Sequence, residues 1–225
     1  MPTVLLVRHG QASFGSDDYD VLSEVGRRQA AIAAASLAER DYRPTRLIAG
    51  TLRRQRETAA AFTALGGPEV EEEPRWDEFE ADEVLEHHGA STLRLEGDEQ
   101  GGPLTTRAFQ AALDPALADW IAQADRSPTA QTWPRFSTAG AAALRDLAAD
   151  LKSGETAVVV TSAGTIGALL ANLWGAPADL FPALNRVLVN ASVTKLAVGS
   201  TGVNVISFND HSHLESVDRA LVTYR

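Results

Sequence analysis

The stretch Ala157-Val158-Val159-Val160-Thr161-Ser162-Ala163-Gly164 decides the fold. Three consecutive valines in a short apolar run read as a strand buried on both faces, the pattern of the middle of a parallel sheet. The chain then breaks at Ser162-Ala163-Gly164 into a helix carrying Ile166, Leu169, Leu170, Leu173 and Trp174. Val4–Val7 repeats the arrangement, an apolar strand stopped abruptly by Arg8-His9-Gly10. Between these two, Ser23 is suited to cap a helix over Glu24–Glu39, and Arg46–Ala49 follows Pro44 as another short strand. Gly50-Thr51 opens a helix that runs to about Leu65, where Gly66-Gly67-Pro68 stops it. Phe136, Gly140, Leu144, Leu147 and Leu151 mark a further helix, and the tail offers strands at Val187–Val189, Val193–Val198 and Val203–Phe208. Strands alternating with helices predict an α/β fold, a three-layer α/β/α sandwich with a mostly parallel central sheet. A ligand site in such a sheet lies beyond the carboxyl ends of its strands.

The region from 81 to 134 departs from this rhythm and reads as an inserted helical lobe within a single domain spanning residues 1–225. It is acidic at its start, is interrupted by Gly89, Gly97, Gly101, Gly102 and Pro103, and turns helical near Thr105. There Phe109, Leu113, Leu117, Trp120 and Ile121 share one helical face.

Composition excludes several classes. The 225 residues carry a net charge of −10, and the acids concentrate over residues 69–99. An acidic chain lacks the broad basic face that grips nucleic acid, and the same balance disfavours anionic membranes. The absence of cysteine removes disulfides, thiolate nucleophiles and thiolate metal sites. No apolar run is long enough to cross a bilayer, and Met-Pro-Thr-Val-Leu-Leu-Val-Arg reads as a first strand rather than a signal peptide, so the expected location is the cytoplasm. No Walker loop or dinucleotide fingerprint is present, and neither a metal nor an organic cofactor is expected. The tail strands offer a pairing edge for a homo-oligomer.

Three loops lie where the ligand site belongs: after Val7, after Ala49 and after Thr161. The first delivers Arg8, His9 and Gly10. An imidazole is nucleophilic near neutrality without further activation, and an adjacent guanidinium holds an oxyanion against it, while glycine lets the backbone approach closely. The second brings Arg53, Arg54 and Arg56 to a helix N-terminus, where cations are disfavoured by about 0.3–1 kcal/mol each unless an anion is bound there too. Phosphate is the natural candidate.

At this point the residues carry a family likeness. Leu6-Val7-Arg8-His9-Gly10-Gln11-Ala12-Ser13, then Leu22-Ser23-Glu24-Val25-Gly26-Arg27-Arg28-Gln29-Ala30, then Leu52-Arg53-Arg54-Gln55-Arg56-Glu57-Thr58-Ala59 resemble, in order and spacing, the histidine phosphatase superfamily, also called phosphoglycerate-mutase-like. The resemblance implies His9 as the nucleophile that becomes a phosphohistidine, with Arg8 and Arg54 binding phosphoryl oxygens, and Gly10 is expected among the phosphate-binding residues. Trp76-Asp77-Glu78-Phe79 resembles the segment with the acid that protonates the leaving oxygen, which assigns that role to Glu78, with Glu80 the lesser candidate. One block differs. Where the family has His-Gly-Gly, this chain has Ser162-Ala163-Gly164. A serine hydroxyl donates but is short and neutral, and losing a charge-assisted donor costs about 1.5–3 kcal/mol of binding, or about 10²–10³ in rate if it acts in the transition state. Ser162 is therefore either a phosphate ligand at a helix N-terminus or only the cap of that helix.

Two histidine pairs lie outside these blocks. His211 and His213 follow the last strand and read as loop residues, with the alternative that one fills the place left by Ser162. His87 and His88 sit in the acidic lobe, where a substrate contact is conceivable and no metal-ligand spacing exists. The expected function is a metal-independent phosphomonoesterase acting through a phosphohistidine on a small phosphorylated substrate. The alternatives are a phosphate-binding or interaction protein of the same fold that Ser162 has disabled, and a phosphoglycerate-mutase-type phosphotransferase.

Overall fold

A computed structural model describes residues 1–13, 20–89 and 106–224. Expectations about Gly97, Gly101, Gly102, Pro103 and the acids at 96–99 fall outside these residues. Six strands form one sheet in the order β3-β2-β4-β1-β5-β6. The central strands are β1 (Thr3–Arg8) and β4 (Thr156–Thr161), which pair in parallel from Thr3↔Thr156 to Arg8↔Thr161. Strand β2 (Arg46–Ala49) pairs in parallel with β4 and with β3 (Val70–Glu72). Strand β5 (Val193–Gly199) runs antiparallel to both β1 and β6 (Gly202–Asp210). The sheet is thus mostly parallel, as its apolar runs predict. Val4–Val7 and Ala157–Val160 are all essentially fully buried because both faces are covered.

The two faces have distinct cores. Leu5, Val7, Leu47, Val158 and Val160 pack against Ala34 and Leu37 of α1 (Glu24–Glu39) and Ala59 and Phe62 of α2 (Arg53–Thr63). Val4, Leu6, Ile48 and Val159 pack against Leu144 and Leu147 of α5 (Trp133–Asp150) and Ile166 and Leu169 of α6 (Ala163–Leu173). Ser23 caps α1 as expected, its hydroxyl accepting from the Gly26 N–H at 3.0 Å.

Beyond the sheet lie α3 (Ala81–His88), α4 (Thr106–Gln123) and α7 (Leu180–Val187). They share a third core with the start of α5, built from Phe79, Leu113, Leu117, Trp120, Trp133, Phe136 and Phe181. The Trp133 and Phe181 rings lie 4.7 Å apart. The apolar face read for the Phe109–Ile121 helix is the face α4 buries, with Phe109 and Ile121 at its margin. Helix α8 (Ser212–Glu215) closes the chain against α1. Among the described residues no helix is long and apolar enough to cross a membrane.

Several expectations are corrected. Val187–Val189 is not a strand: Val187 ends α7, while Leu188 and Val189 are buried without ladder partners. The Leu188 carbonyl is taken instead by the Arg8 guanidinium. Gly50-Thr51 does not start α2, because the Thr51 N–H and hydroxyl both donate to Asp77, at 2.5 and 2.7 Å, and hold that turn open. Strand β3 lies in the acidic stretch where no strand is expected. An edge strand needs only one backbone partner, so its side chains face water and show no apolar alternation. His213 belongs to α8 rather than to a loop and is buried.

Candidate active site

The carboxyl ends of β1, β2 and β4 open on a cavity of about 870 Å³. Arg8 and His9 enter it from the end of β1, Arg54 from the first turn of α2, and Glu78 from the loop after β3. Residues far apart in sequence thus meet where a parallel sheet puts its ligand site.

His9 is buried, with Nδ1 2.7 Å from the Gly10 carbonyl oxygen. A carbonyl only accepts, so the ring proton sits on Nδ1 and Nε2 keeps its lone pair. Arg54 Nε donates to that Nε2 at 3.2 Å. Burial, then the charge of Arg54, then that of Arg8, hold the His9 pKa well below the usual imidazole range. The ring is therefore neutral at physiological pH, the form that attacks an electrophile. Its own carbonyl accepts from Ala191 N–H at 3.2 Å and from the Asn190 side chain at 3.3 Å, which fixes the loop.

Arg54 is also held by Asp20, Nη1 to Oδ1 at 2.7 Å. The same carboxylate accepts from the Arg53 N–H at 2.7 Å and so covers the N-terminus of α2. Nothing in the spacing of Asp20 announces this contact. Arg53 and Arg56 lie half-exposed outside the cavity, paired with Glu57 at 2.9 Å and Glu72 at 3.6 Å.

Glu78 is the acid the fold selects from a crowded run. Its Oε2 accepts from the Gly164 N–H at 2.9 Å, at the start of α6, and its Oε1 from the Phe79 N–H at 3.2 Å. Burial pushes its pKa up and outweighs the lowering by those N–H groups and by Arg54 and Arg8. The loop is strapped down by three buried donors: Gln55 Nε2 and Thr161 Oγ1 to the Trp76 carbonyl at 3.1 and 2.5 Å, and Thr165 Oγ1 to the Asp77 carbonyl at 2.6 Å. Asp77 faces Thr51 instead of the cavity, and Glu80 lies exposed on the cavity rim.

Gly10 and Ser162, both expected on the phosphate, are not among the residues lining the cavity. The Gly10 N–H donates to Thr58 Oγ1 at 3.0 Å, so it is unavailable to phosphate. Its need for glycine is steric, since a Cβ there would lie 2.3 Å from the Gly26 carbonyl oxygen. Ser162 is fully buried and is not among the cavity-lining residues, and its hydroxyl accepts from Gln55 Nε2 at 2.9 Å. Nor does that hydroxyl cap α6, whose first free N–H goes to Glu78 instead.

Of the other histidines, His87 is exposed on α3, and the remaining three make structural contacts. His88 links α3 to α4 through Asp119 (2.7 Å) and to Ser127 (2.8 Å). His213 Nε2 lies 3.0 Å from the Ala191 carbonyl, and His211 Nδ1 2.6 Å from that of Asn209. None of these lines the cavity. No cluster suited to a metal ion exists among the described residues.

With this geometry in hand, comparison with known proteins is informative. The family model described as histidine phosphatase superfamily (branch 1) matches residues 4–211. A glucosyl-3-phosphoglycerate phosphatase from Mycolicibacterium vanbaalenii is 30% identical over 202 residues, covering 86% of this chain and 83% of that protein. The structure of a mycobacterial glucosyl-3-phosphoglycerate phosphatase with inorganic phosphate superposes with a TM-score of 0.64 at 25% identity, covering 94% of this chain and 98% of that one. A phosphoserine phosphatase from Entamoeba histolytica shares the fold, with a TM-score of 0.65 at 20% identity and coverage of 95% and 100%.

Proposed function

Starting from a chain that belongs to the histidine phosphatase superfamily, we propose that it is a metal-independent phosphomonoesterase in which His9 is the nucleophile, Arg8 and Arg54 hold the phosphoryl oxygens and Glu78 is the general acid and base. One observation carries the reading. The His9 proton is pinned on Nδ1 by Gly10, leaving the Nε2 lone pair beside Arg54 in a cavity that Arg8 and Glu78 also line.

A phosphate monoester entering the cavity takes over the Arg54 donor that Nε2 now accepts, and Arg8 neutralises the remaining oxygens. The lone pair attacks phosphorus in line. The N–P bond forms, the P–O bond to the alcohol breaks, and the Glu78 carboxyl passes its proton to the departing oxygen. The Gly10 carbonyl keeps the Nδ1 proton and offsets the positive charge that the phosphorylated ring acquires. Water then attacks phosphorus, Glu78 takes its proton, and the N–P electrons return to Nε2 as phosphate leaves. An acid held protonated by burial suits the first half and its conjugate base the second. The cavity is far larger than a phosphate, which fits a small organic phosphate as the substrate.

Hydrolysis of 4-nitrophenyl phosphate in EDTA, with His9→Ala beside the native chain, tests the proposal. We expect turnover by the native chain alone and an acid-labile phosphoryl adduct after rapid quenching. Equal rates for the two proteins refute it. An inert native chain whose melting temperature still rises with vanadate identifies a binding pocket instead, the reading favoured by Ser162 offering no donor to the cavity.

A further inference from the structure

The wall of the cavity holds a polar side chain that no protein group answers. Asn185, on the last turn of α7, lines the cavity and is 91% buried, its relative exposure being 9%. Among the described residues its side-chain amide makes no hydrogen bond, whereas almost every other buried polar side chain here is matched. Its polar atoms are not shut off from solvent, so the amide faces the cavity with its donor and acceptor open to a ligand.

The neighbouring groups say what kind. Arg186 is already paired with Asp114 at 2.8 Å, and Gln110 donates to the same carboxylate at 2.5 Å, so neither is a dedicated clamp for a second anion. Glu80 and Asp82 line the same space and repel a ligand carboxylate, but accept readily from hydroxyls. Phe79 and Tyr224 also line it and supply aromatic surface for C–H groups. An amide that both gives and takes, beside surplus acceptors and aromatic surface, matches an alcohol bearing several hydroxyls.

We infer that Asn185 determines specificity by hydrogen-bonding hydroxyl groups on the organic part of the substrate, so that the preferred esters are polyol or sugar phosphates rather than aryl or carboxylate-bearing ones. This rests on the phosphatase reading above and adds the substrate class to it. The effect of the amide is read in selectivity.

The test measures kcat/KM for glucose 6-phosphate, glycerol 2-phosphate, 3-phosphoglycerate and phenyl phosphate with the native chain, Asn185→Ala and Asn185→Asp. We expect the native chain to prefer the two polyol esters. In Asn185→Ala the ratio of polyol to phenyl ester should fall about 10-fold or more, chiefly through KM, the effect of losing one or two neutral hydrogen bonds. Asn185→Asp, which keeps an acceptor and the shape, should recover part of the ratio. An unchanged ratio in Asn185→Ala overturns the inference, as does an equal loss on every ester or a native preference for the carboxylate-bearing or phenyl ester. Failure of the phosphatase reading looks different, with no ester turned over by the native chain. Thermal protection then decides: stabilisation by glucose 6-phosphate beyond that by inorganic phosphate, lost in Asn185→Ala, supports the inference, and equal protection by both refutes it.

Discussion

Gly164→Ala displaces Glu78, the proposed general acid, without replacing any charged residue. A Cβ at position 164 would lie 2.1 Å from Glu78 Oε1, 2.7 Å from Phe79 Cε1 and 2.9 Å from Glu78 Cδ. The backbone cannot yield easily, since α6 is buried along most of its length. The Glu78 carboxyl is the end of a flexible side chain, so it must swing away and surrender its bond to the Gly164 N–H. The stability change is modest. Alanine gains about 0.5–1 kcal/mol over glycine in a helix, while overpacking against Phe79 costs about 1–3 kcal/mol. The net loss of about 0.5–2 kcal/mol corresponds to a fall in Tm of about 1–8 °C for a chain of this size. Catalysis should suffer far more, because a general acid contributes about 10²–10⁴ in rate. That loss should appear with an alkyl phosphate, whose alkoxide needs a proton, and largely vanish with 4-nitrophenyl phosphate, whose phenolate leaves unaided. Steady-state kcat on both esters, with circular-dichroism melting alongside, checks it. An alkyl-ester kcat within threefold of native refutes the reasoning, and so does an equal loss on both esters.

Four further outcomes follow from the same contacts. Below its ordinary pKa the Glu78 carboxyl is protonated in folded and unfolded chains alike; as pH rises through its raised folded value the native site must hold a buried anion, so Glu78→Gln should gain in Tm relative to native at about pH 8 and show little difference at about pH 4. The same titration predicts that alkyl-ester kcat/KM falls on the alkaline side as Glu78 ionises, whereas the acid limb, set by His9, lies well below the usual imidazole range. Ser162→Ala removes the acceptor for Gln55 and should cost about 1 kcal/mol in urea unfolding while changing kcat less than about threefold; a loss of about 10² would return Ser162 to the list of phosphate ligands. Arg54→Lys forfeits the fork that reaches His9 and Asp20 together, so kcat/KM should drop by about 10²–10³ and thermal protection by vanadate should shrink with it.

The parts of this molecule written as runs of apolar residues are the parts the chain announces. Ala157–Thr161, Val4–Val7 and the buried faces of α1 and α4 follow from periodicity, because burial on a sheet or helix imposes a repeat that local sequence must carry. Arg8 and His9 are legible for a related reason, standing where an apolar strand ends. Polar support is different. Gln55 meets Ser162 across 107 positions, and Asp20 meets Arg54 across 34, so only the folded chain brings these groups together. Gly10 and Ser162 show the converse error. Each sits beside the site in sequence, yet the N–H of one and the hydroxyl of the other are spent on Thr58 and Gln55. Adjacency along the chain says which loop a residue belongs to and leaves open which way it faces.

Burial, rather than the charges around His9, sets the two pKa values apart, lowering that of His9 and raising that of Glu78. Arg8 and Arg54 act on both groups in the same direction, lowering each pKa, which favours a free imidazole lone pair but works against a protonated Glu78. Burial wins at Glu78 against that pull and against two N–H donors. A phosphate dianion seated between the guanidiniums cancels most of their field as felt by the carboxyl and adds a repulsion of its own, so the Glu78 pKa must rise further on binding. The imidazole pKa rises for the same reason, yet its lone pair is by then directed at phosphorus and shielded from solvent protons. Substrate binding therefore strengthens the acid's hold on its proton while that proton is needed. The hold relaxes once phosphate leaves, when the arginines again pull the carboxyl toward ionisation.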